Sequence, residues 1–460
     1  MKPFSWNALH IVPMSYDMRI LVTGASTFFA ARLIQGLGSS GVEVTAADSH
    51  WLSVGKVTRQ THRRLRIPSL RHDPQGYLAV LQRELRSRRY DLLLPTFEEA
   101  LLLAEFREEL EVHTRLLLPP FETMWRVHHK PSLYRLCCER AIPTPPTALP
   151  PNPRGLRHHV AALKFPVVLK LPAANNCVGR AYCDNLPELE QRYAELYERE
   201  TERGAGVPFV QQKIDGDPIY TLMLCQRGQK LGEVIYRPLR TYPERGGTSA
   251  HRESIEHPAI AEQTARLAEA TDWTGFLGLD FIVERTTGIP YLIDANPRAN
   301  PAVHLGFLAG VDWTGMLIDL VQGKTPAPMS ARPGVRNRTP LLDVGWLLEG
   351  LRPSLRWPLA AAQRVKQFLK PDWPLDSGHD FLGSSEWGCH LALACQGFGA
   401  VGKSLLSGQS LGQAMMDDCN YDPTTVRELR LSRLREAHAR TMRAIREEAG
   451  EARRLVIGGA

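Results

Sequence analysis

The 460-residue sequence lacks a long hydrophobic segment, a secretory leader and any C-x-x-C pair of cysteines. No apolar run approaches the roughly 18 residues of a membrane-spanning helix, so we expect no membrane association. Residues 1–17 show neither the apolar core nor the cleavage pattern of a signal peptide, which argues against secretion. The eight cysteines therefore predict reduced thiols in a cytoplasmic protein, most of them buried as small apolar side chains.

The positive charge of the chain lacks the clustering that marks a nucleic-acid-binding surface. The formal net charge is +7, but the arginines are spread along the whole sequence. The most basic stretch, residues 59–71, contains no aromatic side chain for base stacking and predicts a solvent-exposed surface. We therefore expect no nucleic-acid partner, whereas a basic balance suits a protein that holds a polyanionic nucleotide.

A dinucleotide-binding glycine fingerprint is missing from the first strand-to-helix turn. Thr27 and Ala30 stand where that fingerprint has glycines, and Phe28 and Phe29 crowd the turn. This argues against a nicotinamide-dependent reductase, which remains an alternative. The surrounding pattern alternates strands with helices and predicts a parallel sheet. The predicted strands are 18–22, 42–46, 91–94 and 115–118, and the predicted helices are 30–37, 77–88 and 100–110.

The segment 279–298 (LDFIVERTTGIPYLIDANPR) carries the strongest functional signal. Two apolar, β-prone runs flank a turn and predict a hairpin. Asp280 heads the first run, and Asp294 and Asn296 end the second with both side chains on one face of the strand. Carboxylate and amide oxygens are ligands that Mg²⁺ takes beside phosphate and water, and the Arg298 guanidinium suits phosphate. The alternative is an Asp- and Asn-rich turn that closes an ordinary hairpin.

This segment resembles the metal-binding end of the ATP-grasp superfamily, in which an acid on one strand precedes an acid-x-Asn-x-Arg motif. Asp294 stands where the family usually has Glu. A predicted helix over 121–142 contains Lys130 and ends in Ile-Pro-Thr-Pro, like the linker of the family, and the strand at 165–171 carries Lys170 near its end. In the family both lysines contact the phosphates of the nucleotide.

The resemblance implies an α/β and α+β fold class, with an N-terminal Rossmann-like parallel sheet, an ATP-grasp fold and a mostly helical C-terminal region. The implied division is an extension at 1–17, a pre-ATP-grasp domain at 18–120, the ATP-grasp domain at 121–330 with its linker helix at 121–142, and a region of unassigned role at 331–460. A charged helix is predicted at 424–456.

Two further stretches match the nucleotide site of the family. Residues 207–216 match the adenine-binding hinge, which implies that Gln211, Gln212 and Ile214 contact adenine and that Asp217 binds the ribose. Residues 172–180 match the loop that closes over the phosphates, with one glycine where the family has several.

A third stretch, residues 237–253, predicts a long polar loop beside the reacting carboxylate of the substrate. Its candidate substrate contacts are Arg240, Arg245, His251 and Arg252.

The resemblance implies a ligase that uses ATP and two Mg²⁺ ions, with Mn²⁺ as a substitute. Asp280, Asp294 and Asn296 would hold the metal, and Lys170 and Arg298 would be catalytic. A substrate carboxylate would attack the γ-phosphate to give an acyl phosphate, and an amine would then displace phosphate to give an amide. The expected partners are these two small molecules, with a homodimer as an option. Two alternatives stay open: a mycosporine-type ligase that joins an amino acid to an enolised cyclohexenone, and a non-catalytic nucleotide-binding protein.

Overall fold

Three β-sheets form the framework of the protein in a computed structural model. The structure describes residues 18–173, 179–202, 206–244, 247–354, 358–369, 377–379, 386–407, 414 and 417–435. Four parts of the sequence-based interpretation lie outside the described residues: the predicted extension at 1–17, Arg245, residues 174–178 of the phosphate loop and residues 436–456 of the C-terminal helix.

The N-terminal sheet is a parallel sheet, as the alternating pattern predicts. Its strands are β1 (Arg19–Val22), β2 (Glu43–Asp48), β3 (Arg63–Arg66), β4 (Leu92–Leu94) and β5 (Arg115–Leu116). Their order is β3-β2-β1-β4-β5. The helices between and after them are α1 (Phe28–Ser39), α2 (Val54–Val57), α3 (Pro74–Ser87), α4 (Glu99–Glu105) and α5 (Arg107–Glu111).

The turn after β1 explains why no fingerprint glycine stands there. The Thr27 side chain accepts a hydrogen bond from the backbone N–H of Ala30 and caps α1. A hydroxyl at this position satisfies one of the unpaired N–H groups of the helix start, which a glycine cannot do with a side chain.

The single helix predicted over 121–142 is wrong, because the chain forms two helices there. They are α6 (Phe121–His128) and α7 (Lys130–Glu139), with an extended His129 between them. Pro131 falls in the first turn of α7, where a missing N–H is tolerated, whereas inside one long helix it would remove a hydrogen bond. The break puts Lys130 at a helix start, and its backbone N–H donates to the Pro172 carbonyl at 2.9 Å.

The small sheet is antiparallel and follows the linker. Its strands are β6 (Thr147–Ala148), β7 (Val167–Lys170), β8 (Ala181–Cys183) and β9 (Phe209–Gln212), in the order β6-β9-β7-β8. Two helices belong to the same stretch of chain, α8 (Leu156–Val160) and α9 (Leu186–Glu202).

The large sheet has eight strands. They are β10 (Gly216–Gln226), β11 (Gln229–Tyr242), β12 (Thr248–Ser254), β13 (Gly275–Glu284), β14 (Pro290–Asn296), β15 (Met329–Ser330), β16 (Arg336–Arg338) and β17 (Ser377–His379). Their order is β14-β13-β10-β11-β12-β16-β17, with β15 beside β11. The accompanying helices are α10 (Pro258–Ala270), α11 (Ala302–Leu308), α12 (Trp313–Val321) and α13 (Pro340–Ser354).

The long polar loop predicted over 237–253 is wrong as a structural prediction, because most of it forms the β11–β12 hairpin. Its polar side chains lack the alternation of apolar and polar residues that predicts a strand. β12 lies between β11 and β16 and is buried from Ser249 to Ser254, so the polar side chains there find partners within the protein.

The hydrophobic core falls into three large clusters. Two of them mix residues of the N-terminal sheet with residues of the large sheet; one, for example, joins Leu93 and Leu136 to Leu277 and Phe281. The third cluster consists only of residues between Ala148 and Val210, which belong to the small sheet and its helices. The small sheet therefore has a core of its own.

The C-terminal region packs against the N-terminal sheet as well as the large sheet. Beyond α13 it contains α14 (Pro358–Leu369), α15 (Trp387–Ser407), a short 3₁₀ turn (Asp417–Cys419) and helical residues 423–435. Arg430 pairs with Glu105 at 2.9 Å, and Arg433 pairs with Glu109 at 2.8 Å. Both contacts tie the helical residues 423–435 to α4 and α5.

One contact of this region predicts a pH dependence of stability. His50 Nδ1 lies 2.9 Å from Asp48 Oδ1, and His50 Nε2 lies 3.5 Å from Asp418 Oδ2. The hydrogen bond to Asp48, opposed by burial, raises the pKa of His50. The protonated His50 side chain therefore stabilises the folded protein. This contribution is complete below the ordinary histidine pKa of about 6.5 and is lost as the pH rises through the raised pKa of His50.

From about pH 6 to about pH 9 we expect the wild type to lose roughly 1 kcal/mol of stability through this residue, read as a lower midpoint of thermal unfolding. His50→Gln should show a smaller decline, and the exposed His158→Gln should follow the wild type. Identical pH profiles for wild type and His50→Gln would contradict the assignment.

Within the described ranges, no single helix is long and apolar enough to cross a membrane; only the bent pair α11–α12 meets the length and composition criteria. Both of these helices lie largely in the core. The expectation that most cysteines are buried is confirmed for Cys137, Cys183, Cys225, Cys389 and Cys419.

Candidate functional site

A β-bulge in β14 places the two predicted acidic ligands directly opposite each other. The register pairs Asp280 with Asp294 and skips Ile293. One extra residue changes the face on which the following side chains lie. Leu292, before the bulge, packs into the core, whereas Asp294 and Asn296 lie on the face of Asp280.

The paired carboxylates form an acidic site that a cation would stabilise. Burial and, to a smaller extent, the facing Asp294 carboxylate raise the pKa of Asp280 to about 7. Lys130 offsets part of this charge, since its Nζ lies 3.1 Å from Asp294 Oδ1. No group of three or more His, Cys, Asp or Glu side chains in the described part of the chain is arranged to hold a metal. Two carboxylates and the Asn296 amide instead suit a hard cation that takes its other ligands from phosphate and water.

Lys170 brings a second cation to these acids from the small sheet. Its Nζ donates to Gln211 Oε1 at 2.7 Å. Burial lowers the pKa of Lys170 to about 8; Asp294 opposes the shift, and Lys130 adds to it. Lys130 therefore contacts the acidic pair directly, and Lys170 lies close enough for the charges of Asp294 and Asp280 to act on it.

Arg298 connects this site to the N-terminal sheet. Its guanidinium carbon lies 4.1 Å from the ring centroid of Phe97, and its Nη2 lies 3.8 Å from Glu98 Oε1 and 3.3 Å from Asn296 Oδ1. Burial lowers the pKa of Arg298, and Glu98 opposes this more strongly than the other facing carboxylates, Asp280 among them.

The residues matched to the adenine hinge have different surroundings in the structure. Gln211 is buried beside Lys170, and the Gln212 side chain accepts the backbone N–H of Lys164 at 3.1 Å. Ile214 lies just after β9 and is partly exposed. Asp217 is exposed and pairs with Arg285 at 2.8 Å, so the structure does not bring it to the lysines and acids.

The candidate substrate contacts of the β11–β12 hairpin are packed against the C-terminal region. Arg240 Nε lies 3.0 Å from Asp343 Oδ1, and its Nη2 lies 3.0 Å from His251 Nδ1. The Arg252 guanidinium donates to the Pro301 carbonyl and to the Thr339 hydroxyl. These side chains are buried and hold α13 and α11 to the large sheet.

Sequence reasoning missed two residues of the site, Glu98 and Tyr236. Tyr236 is buried; burial raises its pKa, and the charges of Arg252, Asp280 and Arg298 act on it. Tyr236 lies in register with Tyr220, which lies in register with Asp280, so all three share one face of the sheet. Glu98 follows β4, and the carboxyl end of a parallel strand is a position where ligand-binding residues gather. That signal was present in the sequence.

Comparison with solved structures shows the fold. A biotin carboxylase from Campylobacter jejuni, solved with an ATP analogue, has a TM-score of 0.59 and 16% identity, over 69% of this chain and 74% of that one. The biotin carboxylase domain of a Hydrogenobacter thermophilus 2-oxoglutarate carboxylase, solved with MgADP and bicarbonate, has a TM-score of 0.56 and 17% identity, over 70% and 74%. An L-amino acid ligase from Bacillus licheniformis has a TM-score of 0.54 and 15% identity, over 70% and 78%.

At these identities the similarity shows the fold alone, and at that level the predicted fold class and the predicted resemblance to the ATP-grasp superfamily are confirmed. No protein-family model and no curated protein matches the sequence.

Proposed function

We propose that the protein is an ADP-forming ligase that activates a small-molecule carboxylate with ATP and joins it to an amine. The observation that carries the proposal is the group of cations around the paired carboxylates Asp280 and Asp294. Lys130 contacts Asp294, Arg298 contacts Asn296 on the same strand, and the charges of the two acids act on Lys170. The two acids can bind a metal ion, and the three cations can bind the polyphosphate that the metal accompanies. A site for a metal alone would not need the cations, and a site for a polyphosphate alone would not need the acids.

The proposed metal ligands are Asp280, Asp294 and Asn296, for two Mg²⁺ ions with Mn²⁺ as a substitute. The cross-strand acid pair fits a divalent ion because it concentrates negative charge that Lys130 only partly offsets. When bound, Mg²⁺ would neutralise phosphate charge and favour attack at the γ-phosphorus.

The cationic side chains would position the phosphates and the transferring group. Lys130 and Lys170 would hold the phosphates between the linker and the small sheet. Arg298 would bind the oxygens that gain charge during transfer, and its planar fork can contact two of them at once. Catalysis would then rest on alignment and on preorganised positive charge rather than on a general base.

A carboxylate screen with hydroxylamine tests the proposal without knowledge of the amine. Hydroxylamine traps an acyl phosphate as a hydroxamate, so the true carboxylate should give ADP, phosphate and hydroxamate in equal amounts. Candidate amines are then added in place of hydroxylamine. Asp294→Asn, purified in the same way, controls for a contaminating ATPase.

The outcome of this screen separates the alternatives. A cyclohexenone substrate that forms ADP without a carboxylate would favour the mycosporine-type reaction. ATP binding with no ADP above background for any pair would favour a non-catalytic nucleotide-binding protein and overturn the proposal.

A further inference from the structure

Glu98 and Phe97, which follow β4 of the N-terminal sheet, both contact Arg298, and Glu98 is the charged one of the two. It lies directly before α4 and is 3% exposed. One carboxylate oxygen, Oε1, lies 3.8 Å from Arg298 Nη2. The guanidinium of Arg298 also donates to the Asn296 side-chain oxygen and to the Ala299 carbonyl, both on its own stretch of chain. Glu98 therefore supplies a long-range constraint on the direction of the guanidinium.

The second oxygen of Glu98 is held by the C-terminal region. Glu98 Oε2 accepts the backbone N–H of Tyr421 at 2.8 Å. The chain just before Tyr421 lies across the carboxyl ends of the N-terminal sheet: the Asp418 carbonyl accepts the N–H of Leu70 at 3.1 Å, and Cys419 Sγ lies 3.4 Å from Ser26 Oγ. We call residues 417–421 the strap.

These contacts form one continuous path from the strap to the metal ligands. The Tyr421 amide fixes Glu98, Glu98 pairs with Arg298, and Arg298 contacts Asn296. A buried arginine keeps a defined direction only if its partners are themselves fixed, and a carboxylate with both oxygens engaged is fixed. The contact with the Phe97 ring holds the Arg298 guanidinium over the ring but still allows the guanidinium to rotate in its own plane.

We infer that Glu98 is a positioning residue for Arg298 and that the strap holds Glu98 in place, so that the C-terminal region completes the site. The inference rests on the proposed function, because it requires Arg298 to meet the γ-phosphate or the group that receives it. The inference assigns a role to part of residues 331–460, the region to which the resemblance to the ATP-grasp superfamily assigns none.

Two nucleotide probes test the Arg298 half of the inference on the full-length protein. Calorimetry gives the dissociation constants of MgADP and of the Mg complex of AMPPNP, an ATP analogue with a γ-phosphate. In Glu98→Gln, which keeps the shape and an acceptor oxygen but loses the charge, the preference for AMPPNP over ADP should fall about tenfold, with MgADP affinity within about twofold of wild type. A merely structural role would leave the preference unchanged.

Glu109→Gln is the matched control, because Glu109 also ties the C-terminal region to the N-terminal sheet, through Arg433, without contacting Arg298. It should keep the wild-type preference. An unchanged preference in a folded Glu98→Gln would overturn the inference and leave the proposed function standing. Failure of the wild type to bind either nucleotide would overturn both.

Hydrogen exchange tests the strap half. The Tyr421 amide should be protected in the wild type and in Glu98→Gln, which retains an acceptor oxygen, and should exchange about tenfold faster in Glu98→Ala. Equal protection in Glu98→Ala, with an unchanged unfolding midpoint, would show that Glu98 does not hold the strap.

Discussion

Replacing Asp294 with Asn is expected to abolish ligase turnover and to weaken binding of MgATP. The amide keeps the size of the side chain and can still accept a hydrogen bond from Lys130, which lies 3.1 Å from Asp294 Oδ1. It removes one of two facing carboxylates, so the cation site loses half of its negative charge. We expect a loss of roughly 1,000-fold or more in the rate of hydroxamate formation, as for removal of a preorganised charge at a reacting centre.

The matched control is Asp319→Asn, because Asp319 lies on α12 and has only a distant contact, 3.9 Å, to Lys324. It should retain wild-type turnover. Weaker MgADP binding in Asp294→Asn, with affinity for metal-free ADP unchanged, would locate the defect at the metal. Full activity of Asp294→Asn would remove the metal assignment from this pair of strands.

Replacing Arg298 with Lys is expected to lower the rate of hydroxamate formation roughly 100-fold while the KM for ATP changes little. Lysine keeps the charge, but it cannot contact Glu98, Asn296 and a substrate oxygen through one planar group. It also loses the flat face that lies 4.1 Å from the Phe97 ring centroid.

Arg192→Lys provides the comparison, because Arg192 pairs with Glu188 on the surface of α9 at 2.9 Å. It should leave both kinetic constants at wild-type values. A raised KM for ATP with unchanged kcat in Arg298→Lys would mean that Arg298 serves ground-state binding, and its catalytic assignment would then be wrong.

The common face of Asp294 and Asn296 could be predicted from the sequence because it follows a local rule. Asp294 and Asn296 are two residues apart on a strand, and this spacing alone puts them on one face. The cross-strand partner could not be read in the same way, since it depends on register. A strictly paired hairpin without the bulge at Ile293 would put Leu292 and Asp294 on the same face, and nothing in the sequence marks Ile293 as the extra residue.

The structure of the β11–β12 hairpin, by contrast, could not be predicted from the sequence. Arg240 and Arg252 look like loop residues because polar side chains without alternation predict no strand. Their neighbours in space, Asp343 and Thr339, belong to a region about a hundred residues away. Contacts of this range, like those of Glu98 with Tyr421, depend on the packing of the whole chain, so local patterns carry no sign of them.

Because the small sheet has a core of its own, it can move relative to the rest of the candidate site. Asp280, Asp294 and Arg298 belong to a body whose apolar residues interlock across the N-terminal and large sheets. Lys170 and Gln211 belong to a sheet whose described apolar residues form a separate cluster. Rigid-body rocking of that sheet breaks few apolar contacts, while a shift of the acids would disturb the main core. A movement of the small sheet should therefore displace Lys170 while the proposed metal ligands Asp280 and Asp294 keep their positions.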